Sequence, residues 1–122
     1  MHELSIALSI VDSATEEVER RPGTIVSAVH LRVGALSGVV KEALLFSWDV
    51  ACEDSSLEGA RLIIEDVPVT IFCARCQVEN EIRSIQALSC STCGQLSSEV
   101  VRGKELEVVA LELEDIAETA AV

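Results

Sequence analysis

The sequence predicts an α+β fold, a small three-stranded sheet covered by two helices, with a four-cysteine module inserted before the last strand. Three observations carry this. Two stretches with apolar residues at helical spacing alternate with runs of β-branched residues. Two Cys-x-x-Cys pairs stand thirteen residues apart in the second half of the chain. The junctions are short, so the order reads helix, strand, helix, strand, metal insert, strand. The expected division is a body formed by 1–70 and 98–122, with the insert at 71–97.

Residues 4–20 read as an amphipathic helix. Leu4, Leu8, Val11 and Val18 recur at helical spacing, with Ala7 and Ala14 beside them. Asp12, Glu16, Glu17 and Glu19 supply the wet side. Arg20 and Arg21 complement the negative end of the helix dipole, and Pro22-Gly23 stops the helix. Residues 24–33 alternate as a strand, with Ile25, Val29, Leu31 and Val33 on one face. Val26, Ala28, His30 and Arg32 take the other face, where His30 reads as an exposed strand residue and not a ligand. Gly34 to Gly38 is a loop.

Residues 41–52 read as a second helix, apolar over most of its circumference. Leu44, Leu45, Trp48, Ala51 and Cys52 form one face, widened by Phe46 and Val50, so burial is expected. A turn through Glu53 to Gly59 leads to a strand at 60–66, which Pro68 limits. Residues 104–114 form the last strand. Leu106 and Val108 share one parity while Val109, Leu111 and Leu113 share the other, so a β-bulge or burial on both faces is expected. Residues 115–122 are small or acidic and expected to fray.

Composition narrows the function classes. The chain has 122 residues, enough for one modest core. Its 9 Lys plus Arg against 21 Asp plus Glu give a formal net charge of −12. Such a surface repels phosphate backbones, so no nucleic-acid partner is expected. No apolar run reaches membrane-spanning length and no signal-peptide layout opens the chain, which points to the cytoplasm and no membrane. Thiols stay reduced there and are free to hold metal.

Cys73-Ala-Arg-Cys76 and Cys90-Ser-Thr-Cys93-Gly94 have zinc-ribbon-like spacing. Two intervening residues let a tight turn aim both sulfurs at one point, and a short hairpin returns the second pair to the same ion. Four thiolates fill a tetrahedron and leave no open position, as in structural zinc sites. Iron fits the same ligand list, and two disulfides or core cysteines are the bland alternatives. Gly94 suits a turn needing positive φ, whereas Gln77 holds the matching place after the first pair. Arg75 and Arg83 lie near enough in sequence to offset cluster charge, or are ordinary surface. Cys52 reads as a small buried hydrophobe.

Met1-His2-Glu3 is the remaining oddity. A bulky second residue retains Met1, so a free amine, backbone amides and the His2 imidazole can converge on one cation. Near-planar nitrogen donors suit Ni²⁺ or Cu²⁺. Against this, a lone terminal histidine is ordinarily solvated, and Glu3 defaults to an acid that favours the helix dipole.

Several segments occur together in one order: Met1-His2-Glu3-Leu4-Ser5, Val33-Gly34-Ala35-Leu36-Ser37, Glu42-Ala43-Leu44, the four-cysteine module, and Gly103-Lys104-Glu105-Leu106. The chain thereby resembles, over essentially its whole length, the HypA/HybF family of hydrogenase maturation nickel metallochaperones. The resemblance implies Ni²⁺ bound at the N-terminus through His2, with Glu3 and the Met1 amine nearby, as transient cargo. It implies structural Zn²⁺ on Cys73, Cys76, Cys90 and Cys93. It implies delivery of nickel to the large subunit of [NiFe]-hydrogenase with the HypB GTPase, and urease maturation in some members. The fold implied is an α+β nickel domain carrying a zinc domain.

The chain departs from the family pattern at Lys41 and Ser91, where proline is frequent, and at Gln77, where glycine is frequent. Val39-Val40 stand where some members recruit an extra acid, so no third nickel ligand is assigned. The rival reading is a zinc-ribbon adaptor that presents a surface and transfers no metal. A hydrolytic enzyme is disfavoured, because no motif pairs a nucleophile with a base and a closed tetrahedron has no water position.

Overall fold

The computed structural model describes residues 2–82 and 87–116. The elements are α1 (Glu3–Glu19), β1 (Thr24–Gly34), α2 (Lys41–Cys52), β2 (Arg61–Val67), β3 (Thr70–Cys73), β4 (Val78–Glu81), β5 (Val100–Arg102) and β6 (Leu106–Asp115). They form two three-stranded sheets, ordered β2-β1-β6 and β4-β3-β5. The first is the expected sheet, and with the two helices it makes the α+β architecture. The second sheet lies in the cysteine-bearing segment.

The chain divides into two compact units. One comprises Met1–Leu31, Val39–Ile64 and Val108–Val122; the other comprises Arg32–Gly38 and Glu65–Glu107. Residues 71–97 fall wholly within the second unit.

In the first unit α1 packs against α2. The buried stripe of α1 is Ala7, Ile10, Val11 and Ala14. This corrects the expected phase: Leu4 and Leu8 are 42% and 45% exposed. Close helix approach selects small side chains, and Ala7 and Ala14 supply them. The helix stops at the expected place, and Arg20 and Arg21 both reach back to Glu17, at 3.3 and 3.4 Å. On α2, Leu44, Trp48, Ala51 and Cys52 are buried. The buried face is narrower than expected, since Phe46 is 75% exposed and Leu45 and Val50 are nearly half exposed. Trp48 buries its ring and donates Nε1–H to the Ala60 carbonyl at 2.9 Å, which fixes the chain just before β2.

Strand β1 is central and is buried on both faces: Val26 and Ala28 in one phase, Val29, Leu31 and Val33 in the other. His30 is half-buried, and its Nε2 lies 2.7 Å from Glu112 Oε2 on β6. It is thus a cross-strand partner and not a lone surface histidine. Strand β6 is an edge in this order, and Glu107 to Ala110 are exposed. Of the two alternatives for the parity shift, a bulge near Glu107 to Val109 or burial on both faces, the second is therefore overturned. Val67 ends β2, as Pro68 requires. The expected fraying falls mostly on 117–122, outside the described residues.

The second unit contains a backbone crossing that leaves no room for side chains. Gly34 N–H donates to Glu105 O at 2.7 Å, and Leu36 N–H donates to Gly103 O at 2.6 Å. A Cβ on Gly34 would lie 2.2 Å from both the carbonyl carbon and the oxygen of Gly103. A Cβ on Gly103, where φ is +124°, would meet Val69 Cα at 3.0 Å. The segments around Gly34 and Gly103, far apart in sequence, are therefore two halves of one contact.

Substituting Gly34→Ala should lower the unfolding free energy by about 3 kcal/mol, because rigid backbone must move to admit the methyl group. Gly103→Ala should cost about 2 kcal/mol, from the positive φ and the contact with Val69. Urea denaturation of both variants beside the native chain checks the order and the size.

Candidate functional site

The second sheet builds a four-sulfur cluster. Strand β3 ends at Cys73 and pairs antiparallel with β4, in the register Ile71↔Asn80 and Cys73↔Val78. The tight turn between them carries Cys76. The second pair sits on a hairpin closed by the Ser89↔Leu96 bridge. Ser97 ties that hairpin back, its hydroxyl donating to Phe72 O at 2.6 Å.

The two turns are near twins. Gln77 N–H donates to Cys73 O at 2.7 Å, and Gly94 N–H donates to Cys90 O at 2.9 Å. Cys76 N–H points to Cys73 Sγ at 3.5 Å, and Thr92 N–H to Cys90 Sγ at 3.4 Å. Both turns end in a residue with positive φ: Gly94 at +75° and Gln77 at +57°. The left-handed conformation costs a non-glycine residue roughly 1 kcal/mol. Gln77 offsets part of that by donating its side-chain amide to Ala74 O.

All four Sγ atoms lie within 4.8 Å of one another. Cys73 and Cys93 are 3.6 Å apart at sulfur, and Cys76 and Cys90 are 3.9 Å apart. A regular tetrahedron with metal–sulfur bonds of about 2.3 Å has edges of about 3.8 Å, so the arrangement fits one tetrahedral cation. The sulfurs are free thiols, far beyond disulfide bonding distance. Cys73 and Cys90 are buried; Cys76 and Cys93 are partly exposed.

Their protons are unequally held. Backbone N–H groups of Cys93 and Thr92 draw the Cys90 thiol down to about 6. The hydrogen bond with Cys93, then burial and the neighbouring sulfurs, push Cys76 up to about 12. Cys90 therefore gives up its proton more readily than Cys76. Cys52 stands apart on α2, buried, its thiol pushed up to about 11 by burial and then by Asp49. Arg75 is exposed, and Arg83 lies outside the described residues.

The other sequence candidates sit at the start of α1. His2 is the exposed N-cap residue, in extended conformation, and its ring makes no capping hydrogen bond. Glu3 opens the first turn, and its Oε2 accepts the Val40 N–H at 3.3 Å. Met1 lies outside the described residues. The Glu3–Val40 bond was not visible in the sequence, because Val40 contributes only backbone.

A family profile described as "Hydrogenase/urease nickel incorporation, metallochaperone, hypA" matches residues 1–113. The hydrogenase maturation factor HypA of Roseiflexus sp. (strain RS-1) is 46% identical over 115 residues, 94% of each chain. That of Chloroflexus aurantiacus is 47% identical over 112 residues, covering 92% of this chain and 98% of the relative. Among solved structures, the solution structure of the Ni metallochaperone HypA from Helicobacter pylori aligns with TM-score 0.62. It covers 92% of this chain and 97% of that one at 21% identity. A further HypA solution structure aligns with TM-score 0.69 at 22% identity, covering 93% of this chain and 97% of that one. At such identities these two likenesses speak for the fold.

Because Cys76 holds its proton, cation binding at the cluster should weaken on acidification, about tenfold per pH unit for each proton displaced. The dependence should steepen below pH about 6, where Cys90 is protonated as well. Titration with Co²⁺ across pH, followed by thiolate-to-cobalt absorption, measures the slope.

Proposed function

Since this chain belongs to the HypA family of hydrogenase/urease nickel-incorporation metallochaperones, we propose that it carries Ni²⁺ at its N-terminus and holds structural Zn²⁺ at its four cysteines. Family members are maturation factors and not enzymes, and so is this chain. The observation that carries the reading is the pairing of a closed sulfur cluster with an exposed, uncommitted imidazole at residue 2 of a chain matched from residue 1.

Cys73, Cys76, Cys90 and Cys93 would hold the zinc. Its bonds order the turns around it and leave no position for a reactant. The sulfur separations support this assignment. The closed site thus shapes the second unit.

The nickel site follows a different logic. His2 offers its ring, the Met1 amine and the first backbone amides offer further nitrogens, and Glu3 stands beside them. The positive end of the α1 dipole works against a bound cation, and the Glu3 carboxylate in the first turn offsets it. Affinity is thereby moderated, which favours release. Few side chains are engaged, so a recipient can supply ligands one at a time.

The domain assignment that goes with this function is 1–70 and 98–122 for nickel and 71–97 for zinc. The recipients are the [NiFe]-hydrogenase large subunit, with the HypB GTPase as co-worker, and urease maturation proteins where present. The compartment is the cytoplasm; among the described residues no helix is long and apolar enough to cross a membrane.

Ni²⁺ titration of the native chain, of His2→Ala and of a variant extended before Met1 tests the cargo site. Both variants should lose affinity at least roughly tenfold, the scale of removing a metal-site group. Equal affinity in all three removes the N-terminal site and favours the adaptor reading.

A further inference from the structure

Among the described residues of the cysteine-bearing segment, one buried polar side chain has unfinished hydrogen bonding. Asn80 on β4 is 7% exposed. It pairs with Ile71 across β3, and Cys73 pairs with Val78 two residues along. Side chains two apart on a strand share a face, so Asn80 lies on the same face as Cys73, on the diagonal. Ile71 and Cys73, on that face, are also buried.

The Asn80 carboxamide is half used. Its Oδ1 accepts the Ser91 hydroxyl at 2.6 Å. Ser91 lies inside the second cysteine pair, directly after Cys90. Its Nδ2 is buried and has no hydrogen-bond partner among the described residues. A desolvated N–H donor without an acceptor is unfavourable, so the functional form should supply one. Sulfurs bonded to a cation carry excess negative charge and are acceptors for such donors.

Resting on the zinc reading of the cluster, we propose that Asn80 is a positioning residue for the metal centre. Its Oδ1 braces the second cysteine turn through Ser91. Its Nδ2 donates to a cysteine sulfur when the cluster holds its cation. A hydrogen bond from the one buried side chain of β4 thus fixes a turn that a proline ring would otherwise stiffen. The same amide draws charge from the sulfur, which strengthens retention of the ion.

The test uses the full chain loaded with Zn²⁺ or, for spectroscopy, Co²⁺. Asn80→Asp is nearly isosteric: it keeps an acceptor for Ser91 and removes the donor. Asn80→Ala removes both, and Ser91→Ala removes only the brace. Zn²⁺ transfer to a chromogenic chelator should accelerate at least roughly tenfold in both Asn80 variants and only about threefold in Ser91→Ala. The thiolate-to-cobalt band should shift in both Asn80 variants and stay in place in Ser91→Ala. A merely structural role for Asn80 would leave that band unmoved. Native release rates and an unshifted band in Asn80→Asp overturn the proposal while leaving the cluster intact. A native chain that takes up no Co²⁺ on its cysteines overturns the cluster reading and this proposal with it.

Discussion

Four sulfur atoms converge within 4.8 Å of one another, and the second unit is arranged to make that possible. As thiolates they repel, and as thiols they compete for one another's protons. The division of proton affinity between Cys90, drawn down by backbone N–H groups, and Cys76, pushed up by its neighbours, expresses that conflict. On the proposed reading, a divalent cation would resolve it by replacing repulsion with four bonds. Strand β3, its pairing with β4 and the hairpin bridged at Ser89 and Leu96 are short elements with modest stability of their own. On the proposed reading, the free energy of metal binding would therefore be a large part of what folds this segment.

The glycine crossing is the second constraint on the same unit. Gly34 and Gly103 meet backbone to backbone, bracketed by hydrogen bonds from Gly34 to Glu105 and from Leu36 to Gly103. Ala35 adds a bond to Val67 O at 3.0 Å. The loop after β1 and the loop before β6 are thus held by main-chain groups, with no side chain at the closest point. This gives a physical reason for glycine at both 34 and 103, which lie 69 residues apart in sequence.

The α+β order of elements and the cysteine ligand geometry were legible because both follow from spacing along the chain. Periodicity places α1 and α2 within a residue of their observed ends, and Cys-x-x-Cys spacing brings the sulfurs together through local turns. What periodicity misjudged was which apolar residues are inside. Leu4 and Leu8 rank above alanine in hydropathy, yet the packed stripe of α1 runs through Ala7 and Ala14, because close helices need small contacts. The exposed apolar residues of β6 follow from its place at the sheet edge, which no single strand announces. The pairs that tune the candidate sites were not legible. Glu3 with Val40 is separated by 37 residues and uses a backbone donor; Asn80 with Ser91 depends on the register of β4 against β3.

The exposure of the sulfurs adds a last step to the contrast between a site that retains and one that releases. Each Cys-x-x-Cys pair buries its first sulfur and leaves its second partly exposed: Cys73 and Cys90 inside, Cys76 and Cys93 toward solvent. On the proposed reading, a competing ligand would reach the ion through Cys76 or Cys93, while Cys73 and Cys90 are buried, each facing a backbone N–H of its own turn. Were the cluster to hold an ion, loss of one exposed bond would leave three ligands positioned to retain it. On the proposed reading the N-terminus inverts every part of this. Its imidazole is exposed, its backbone is extended at the helix cap, and its one carboxylate is already shared with Val40. No second buried donor waits to recapture an ion that has begun to leave. A cation held there exchanges stepwise with an incoming partner, whereas one held by the sulfurs does not, and the difference arises from burial and donor type.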